Sequence, residues 1–184
     1  MSTEHNRIYV ASLSDYNGGI LHGVWLTLDN FSSVDEIWEA INSMLATSPT
    51  AKATGLPSEE IAIHDYEGFY GLRIGEQDSI SNIWEAHELL ESLDDPEAFA
   101  EWLWHERSTD ISEVTEEAME TFQDAFCGRY ESEEAYAEEL INGMGILDHA
   151  DELLSRYFDY EAFARDLFMP DYFMTDNGYV FCHC

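Results

Sequence analysis

The residues best suited to chemistry lie at two places in the chain. Cys182, His183 and Cys184 are consecutive and offer soft ligands to a metal ion such as zinc, although a clear fourth ligand is missing. His64 and Asp65, with Glu67 nearby, could form a general acid–base pair. Each set has a plainer interpretation: a frayed terminus for the first, and a packing or turn role at a strand end for the second. We favour the plainer interpretations and expect neither a metal nor a cofactor.

Motifs of the common enzyme classes are missing from the sequence. Lys52 is the only lysine, and it lies in the loop-like stretch TSPTAKATGLP rather than after a glycine-rich phosphate loop. The sequence contains no GxSxG, HExxH, GxGxxG or CxxC. We therefore expect a protein that is not an enzyme. An enzyme that uses a carboxylate pair or a metal is the alternative.

Carboxylates dominate the composition. The 184 residues include 39 Asp and Glu against 7 Lys and Arg, a formal net charge of −32. The charge is concentrated, since residues 1–84 carry 12 acids and 3 bases whereas residues 85–184 carry 27 acids and 4 bases. Such a chain is unsuited to direct binding of nucleic acid or of an anionic membrane, because both require a basic surface.

The remaining composition predicts a reduced, cytoplasmic, soluble protein. The longest uncharged stretch, residues 16–28, has 13 residues and is too short to span a bilayer as a helix. The first residues, MSTEHNR, lack the basic and then apolar order of a secretory signal. Three cysteines are too few for a disulfide framework.

The most regular arrangement of carboxylates lies between Ile111 and Cys127. If this segment is one helix, Val114, Ala118 and Phe122 share one face, and five acids share another: Glu113, Glu116, Glu117, Glu120 and Asp124. A second set follows in the next predicted helix: Glu131, Glu133, Glu134, Glu138 and Glu139. Like charges one helical turn apart oppose helix stability, and no lysine is present to offset them.

Two explanations of these acidic rows remain open on composition alone. One is a solvated surface, in its strongest form that of a halophilic protein, which is acidic and poor in lysine. The other is imitation of a nucleic-acid backbone. B-form DNA carries one charge per roughly 1.7 Å of axis, whereas helical rows of Glu carry one per roughly 4 Å, so several rows would have to lie side by side.

The first third of the chain predicts a small antiparallel sheet with one helix. Strands are predicted at Arg7–Leu13, Ile20–Leu28 and Ile61–Tyr66, the first two joined by a turn at DYNGG. Ser33 and Glu36 have the spacing of a capping box that begins an amphipathic helix. Residues 47–58 are predicted to form a loop.

After Gly68 the pattern becomes mainly helical. Helices are predicted at 79–93, 96–107, 110–127, from Ser132 to Leu140, and from about 148 to 168, with a break at Gly143 and Gly145. The turn Asp176–Gly178 predicts a final hairpin of strands 172–175 and 179–182. Trp84, Trp102 and Trp104 have helical spacing and are expected in the core. The predicted class is α+β, with an antiparallel sheet and one helix first, a helical middle, and an α+β C-terminal part that ends in a hairpin.

Four segments of the chain resemble the ArdA antirestriction protein family. They are RIYVASLSDYNGGILHGVW near the start, AIHDYEGF at 62–69, SEEAYAEE at 132–139 and YFDYEAFARDLF at 157–168. They occur in order over nearly the whole chain, and the last is the most specific. Residues 70–108 are the least distinctive, and the Cys-His-Cys ending is not typical of the family.

The resemblance implies an inhibitor, carried by mobile genetic elements, that protects incoming DNA from type I restriction–modification enzymes. Members form elongated, curved homodimers of three small domains, and their acids follow the phosphates of DNA. The resemblance implies that the three domains here are 1–68, 69–108 and 109–184. The implied partner is the methyltransferase core of such an enzyme; whether modification is blocked as well as restriction is left open. The alternative is a general acidic or halophilic binding module that sequesters a basic nucleic-acid-binding partner.

The resemblance also implies two sets of functional residues. The expected DNA-mimicking surface comprises Glu85, Glu88, Glu101, Glu113, Glu116, Glu117, Glu120, Asp124, Glu131, Glu134 and Glu138. The family's antirestriction motif, near its dimer interface, corresponds to about 147–161, and the expected interface residues are Leu147, Leu153, Tyr157, Phe158, Asp159, Tyr160 and Glu161.

Overall fold

A computed structural model describes residues 5–148, 150–151 and 155–183, and it confirms the α+β class. The chain folds into two compact units, Met1–Ala118 and Met119–Cys184. Each unit contains one three-stranded antiparallel sheet with helices packed against it. The predicted division into three domains stays a prediction.

The sheet of the first unit consists of β1 (Arg7–Ser12), β2 (Gly23–Thr27) and β3 (Ile61–Glu67) in the order β2-β1-β3. Both pairings are antiparallel. Alternation along β1 places Ile8 and Val10 in the core. The three predicted strands are therefore confirmed, but the second begins at Gly23 rather than at Ile20.

The connection between β1 and β2 is a short helix, α1 (Leu13–Asn17), and not the predicted turn. Ser12 caps it by accepting a hydrogen bond from the backbone N–H of Asp15. The buried Asp15 carboxylate accepts hydrogen bonds from the Ser12 hydroxyl at 2.7 Å and from the Thr50 N–H at 2.8 Å. Burial alone would raise the pKa of Asp15, but the hydrogen bonds outweigh burial and hold the pKa well below its usual value.

The Asp15–Thr50 contact also explains a second error of sequence reasoning. The predicted loop at 47–58 contains a helix, α3 (Pro49–Thr54), which follows α2 (Val34–Leu45). Ser48 accepts from the N–H of Ala51, Pro49 occupies the first turn, and Gly55 ends the helix at φ 72°. The signals for a helix were present, but a helix this short depends on contacts from elsewhere in the fold.

Helix α2 begins where the sequence predicts. The Ser33 hydroxyl accepts from the N–H of Glu36, and the Glu36 carboxylate accepts from the N–H of Ser32 at 2.8 Å. The reciprocal contact thus reaches one residue further back than in a standard capping box. The hydrogen bond from the Ser32 backbone lowers the pKa of Glu36.

The helical middle of the chain contains α4 (Ile80–Glu91), α5 (Pro96–Glu106) and α6 (Glu116–Ala125). The predicted helix at 110–127 is wrong at both ends. Residues 111–113 form a separate 3-10 turn, and the chain leaves α6 directly into β4 (Phe126–Arg129). Strand β4 was not predicted, because four residues acquire strand structure only by pairing with a distant partner.

The expected burial of three tryptophans is confirmed for two of them. Trp84 and Trp102 are buried, whereas the side chain of Trp104 is 70% exposed. Trp102 and Leu103 already occupy the inward face of α5, so the next residue along the helix projects outward.

The second unit adds α7 (Glu133–Met144), α8 (Tyr160–Leu167), β5 (Tyr172–Met174) and β6 (Tyr179–Cys182) to β4. The sheet order is β4-β6-β5, and the predicted hairpin of β5 and β6 is confirmed, with Gly178 at φ 88°. Its core is aromatic: the ring of Phe181 lies 5.5 Å from that of Phe126 and 5.0 Å from that of Phe173.

Two predicted boundaries in this unit are corrected. Helix α7 continues past Gly143 and ends at Gly145, which adopts the left-handed conformation at φ 64°. The predicted helix from 148 to 168 is not continuous, because Asp159 has a non-helical backbone and caps α8 by accepting from the N–H of Ala162 at 2.9 Å.

A buried polar hub joins β1, α4 and the segment after β3. The Asn6 side chain accepts from the N–H of Phe69 at 2.7 Å and faces Nδ1 of His87 at 3.1 Å through its amide nitrogen. Since that amide nitrogen can only donate, Nδ1 of His87 must accept, and the ring proton sits on Nε2. Burial lowers the pKa of His87, although Asp29, Glu91 and Glu88 act in the opposite direction.

The hub predicts a pH-dependent contribution to stability. Below about pH 6.5 the unfolded chain binds a proton at His87 more readily than the folded chain does. The contribution of the hub to the free energy of unfolding is therefore fully present above about pH 6.5 and declines below it. His87→Leu should cost about 1–3 kcal/mol at pH 8, because the buried Asn6 amide loses its partner. The cost should shrink by pH 5.5. The measurement is the unfolding free energy of both proteins at each pH, with exposed His105→Gln as the control; a cost that does not change with pH would contradict the assignment.

Candidate functional site

Most acids of the predicted surface are exposed. They lie on α4, α6, α7 and the segment before α7: Glu85, Glu88, Glu116, Glu117, Glu120, Asp124, Glu131, Glu134 and Glu138. Glu101 on α5 and Glu113 in the 3-10 turn are only partly exposed. Glu113 therefore precedes the helix that carries the other members of its predicted row.

Helix α6 separates its acids from its apolar side chains. Ala118, Phe122 and Ala125 are buried on one face. Glu116, Glu120 and Asp124 follow one another at four-residue intervals on the opposite face, over about 12 Å of helix axis. Burial of the apolar face thus fixes where the carboxylates point.

Helix α7 repeats this arrangement. Tyr136, Ala137 and Ile141 are buried, and the exposed acids are Glu133, Glu134, Glu138 and Glu139. Ser132 caps the helix by accepting from the N–H of Ala135. Glu133 and Glu134 lie in the first turn, where the partial positive charge of the helix N-terminus favours a carboxylate.

Few cations neutralise these two helices. Residues 116–144 contain nine acids and a single base, Arg129. Arg129 donates to the backbone oxygen of Asn177 at 2.9 Å and lies over the ring of Tyr179. Arg7 in the first unit pairs with Glu67 and lies over Trp25. Both of these guanidinium groups therefore have partners outside α6 and α7.

The predicted interface residues have mixed environments. Tyr157 is 75% exposed, Glu161 is exposed, and Leu147 is half-buried. Phe158 packs at 4.9 Å from Tyr160 and 5.9 Å from Phe163, measured between ring centroids. Asp159 caps α8 and so has a structural role. Leu153 lies outside the described residues.

The candidate acid–base group does not converge on one site. His64 contacts the ring of Tyr16 at 4.4 Å and lies 3.9 Å from a carboxylate oxygen of Glu76. Asp65 accepts from the N–H of Tyr66, and Glu67 pairs with Arg7. Each residue thus has its own structural partner, as the plainer interpretation expects.

A potential metal-ligand group that sequence reasoning missed lies at the polar hub. Ligand atoms of Asp29, His87 and Glu91 lie within 4.8 Å of one another. The Asn6 amide, however, holds the proton of His87 on Nε2, the atom that faces Asp29 at 3.6 Å. A metal would need the lone pair of that nitrogen, so these contacts favour a hydrogen-bonding role.

The Cys-His-Cys ending is more ordered than a frayed terminus. Cys182 pairs with Tyr172 within the sheet, and the N–H of His183 donates to the Asp171 carbonyl at 2.8 Å. The frayed-terminus interpretation is thus wrong for these two residues. Cys184 lies outside the described residues.

A pocket in the first unit was also missed. It has a volume of about 260 Å³, and its walls include Tyr70, Glu101 and the exposed Trp104. The available signal was the FYG sequence after β3 and a second tryptophan, Trp104, in an already aromatic helix. That signal gives no indication of which ring faces solvent.

Comparison with known proteins identifies the family. A sequence model of the family described as "Antirestriction protein (ArdA)" matches residues 8–181, and no curated protein matches the chain. The chain belongs to the ArdA antirestriction protein family, as the sequence motifs suggested. Membership implies an antirestriction function, in a family of inhibitors that act on restriction enzymes. Within the described ranges, no helix has the length and apolarity needed to cross a bilayer.

The uncompensated charge of α6 predicts a stability cost. Glu120 and Asp124 repel each other one turn apart, and both lie toward the helix C-terminus, where the dipole disfavours carboxylates. Glu120→Gln with Asp124→Asn should raise the Tm by about 2–6 °C at low salt. The gain should diminish in 1 M salt through screening.

Glu133→Gln with Glu134→Gln is the matched control, because these acids lie at a helix N-terminus and their removal should give no gain. Thermal unfolding of the three proteins at low and high salt makes the comparison. Equal gains from both double variants would show that total charge, rather than its position on the helix, sets the cost.

Proposed function

We propose that the protein inhibits type I restriction–modification enzymes by occupying the DNA-binding channel of their methyltransferase core. The observation that carries this proposal is the exposed acidic surface of residues 116–144, a stretch that holds nine acids and one base. An enzyme that holds duplex DNA does so largely through phosphate contacts that carry no sequence information. A folded acidic surface can make those contacts in place of the phosphates, without presenting a nucleobase to the enzyme.

The spacing of the carboxylates determines how much of the phosphate charge of DNA this surface reproduces. Glu116, Glu120 and Asp124 are about 6 Å apart along the helix axis, against one charge per roughly 1.7 Å in duplex DNA. One helix therefore reproduces only part of the phosphate charge. The acids of α4, α5 and α7 supply the further rows, and inhibition depends on their sum.

The fold makes these charges effective by fixing them before binding. Helices α6 and α7 are held in place by their buried faces and by side-chain caps at Thr115 and Ser132. Carboxylates already positioned by a fold lose little conformational entropy when the enzyme binds. The inhibitor acts without catalysis, cofactor or metal, in the cytoplasm, where it protects incoming mobile DNA.

If binding to the enzyme is distributed over many acids, inhibition should weaken gradually as more of these acids are replaced by amides. Glu117→Gln alone should change inhibition by no more than about fivefold, because an exposed ion pair contributes on the order of 0–1 kcal/mol. Replacing all five acids at 113, 116, 117, 120 and 124 by their amides should weaken inhibition at least tenfold. The measurement is displacement of DNA from a type I methyltransferase at fixed salt.

An unrelated basic DNA-binding protein is the control for selectivity and should keep its DNA. A tenfold loss from one of the five single changes would contradict distributed binding and indicate a discrete site. Displacement of DNA from both proteins to the same extent would favour a general acidic binding module.

The proposal includes a homodimer formed through the 147–161 segment. Tyr157 is the best-placed anchor among the described residues of this segment, because its large side chain is exposed. Phe158 instead packs within its own chain, so its replacement would disturb the fold as well.

Tyr157→Ala should therefore shift the protein from dimer to monomer, whereas Tyr16→Ala, which removes an exposed tyrosine in the first unit, should not. Size-exclusion chromatography with light scattering measures the mass of each protein. A Tyr157→Ala dimer as stable as the wild type would contradict the interface assignment. Inhibition is assayed separately, since each protomer carries its own acidic helices.

A further inference from the structure

The pocket in the first unit combines aromatic rings with a carboxylate. Its walls are Tyr70, Gly71 and Leu72 on one side, and Ala100, Glu101 and Trp104 of α5 with Thr109 on the other. Its volume is about 260 Å³. Trp104 is 70% exposed and Tyr70 is 42% exposed, an unusual placement for two large rings that line the same pocket.

The Tyr70 side of the pocket is held in a strained conformation. Four consecutive residues, Gly68 to Gly71, have positive φ, and the two between the glycines are Phe69 at 55° and Tyr70 at 53°. A left-handed backbone costs roughly 1–2 kcal/mol at each non-glycine residue. The result is that Phe69 enters the core, where Asn6 accepts from its N–H, while Tyr70 faces the pocket.

The opposite side of the pocket, near Thr109, is hydrogen-bonded to Arg73, which closely follows the Gly68–Gly71 turn. The N–H of Arg73 donates to the carbonyl of Thr109 at 2.6 Å, and the N–H of Ile111 donates to the carbonyl of Arg73 at 2.8 Å. Asp95 caps α5 by accepting from the N–H of Ala98. Backbone and capping hydrogen bonds therefore hold both walls of the pocket in place.

The pocket lies in a negative field. Burial first, and then nearby carboxylates, raise the pKa of Tyr70; the carboxylates are Glu91, Asp29, Glu97 and Asp95. Glu101 is itself one of the residues that line the pocket. A neutral apolar ligand would gain nothing from this field, whereas a cation would.

We propose that this pocket receives an arginine side chain from the DNA-binding surface of the target enzyme. A guanidinium is planar, stacks on the faces of Trp and Tyr, and pairs with a carboxylate through two N–H groups. Trp104, Tyr70 and Glu101 supply those three elements. The inference rests on the proposed function, since it takes the arginine from a protein that binds DNA.

A titration of the free protein tests the pocket without the enzyme. The probe is N-acetyl-arginine methylamide, and its neutral isostere, N-acetyl-citrulline methylamide, is the control. NMR signals of the Trp104 indole and the Gly71 amide should shift with the arginine probe and not with citrulline, while the indole of Trp38 stays unchanged. Equal shifts with both probes, or none with arginine, would overturn the proposal.

Three variants then test the pocket in the inhibitor. Trp104→Leu should weaken DNA displacement about five- to tenfold, because it removes the aromatic face, and Trp104→Phe should retain most of it. Trp38→Ala, on α2, is the control for loss of a partly exposed tryptophan and should inhibit like the wild type.

The result separates the two proposals. Full inhibition by Trp104→Leu, in a protein whose Tm is unchanged, overturns the arginine pocket and leaves the acidic-surface proposal standing. Failure of the wild-type protein to displace DNA overturns the acidic-surface proposal, and the probe titration still decides whether the pocket binds a guanidinium.

Discussion

Repulsion among fixed carboxylates is the constraint on which the rest of the structure depends. Residues 116–144, which include helices α6 and α7, hold nine acids with one base, and each like-charged neighbour opposes the helix that presents it. This repulsion is opposed by an aromatic core around Phe181, by buried apolar helix faces, and by side-chain caps at both helix starts. The second unit is thus a support that keeps charges close together against their own repulsion.

The first unit uses strain and buried polar contacts in a similar way. Asn6 connects Phe69 and His87, and Asp15 connects α1 to the start of α3. The Asn6 contact stabilises a left-handed turn that would not persist alone, and the turn presents Tyr70 beside Trp104. In our account, both units contribute distributed charge, and the first unit adds a shaped pocket for a single cationic side chain.

Features encoded by neighbouring residues could be predicted from the sequence. The caps at Ser33 and Ser132, the strands of the first sheet, the hairpin at Gly178 and the family itself belong to this group. Features that require distant partners could not. Strand β4 exists because it pairs with β6, and α1 and α3 are held by the buried Asp15. The direction in which Trp104 points depends on how α5 packs, so the sequence indicated its helix but not its exposure.

The most direct test of the account compares how the protein and DNA compete for one enzyme as salt rises. DNA loses affinity steeply because its binding releases condensed counterions. Carboxylates spaced more widely than phosphates condense fewer, so the affinity of this protein for a type I methyltransferase should also fall with salt, but with a shallower slope. The measurement is a titration of the enzyme with each ligand at several salt concentrations. An affinity of the protein that does not change with salt would contradict an inhibitor that works through its charge.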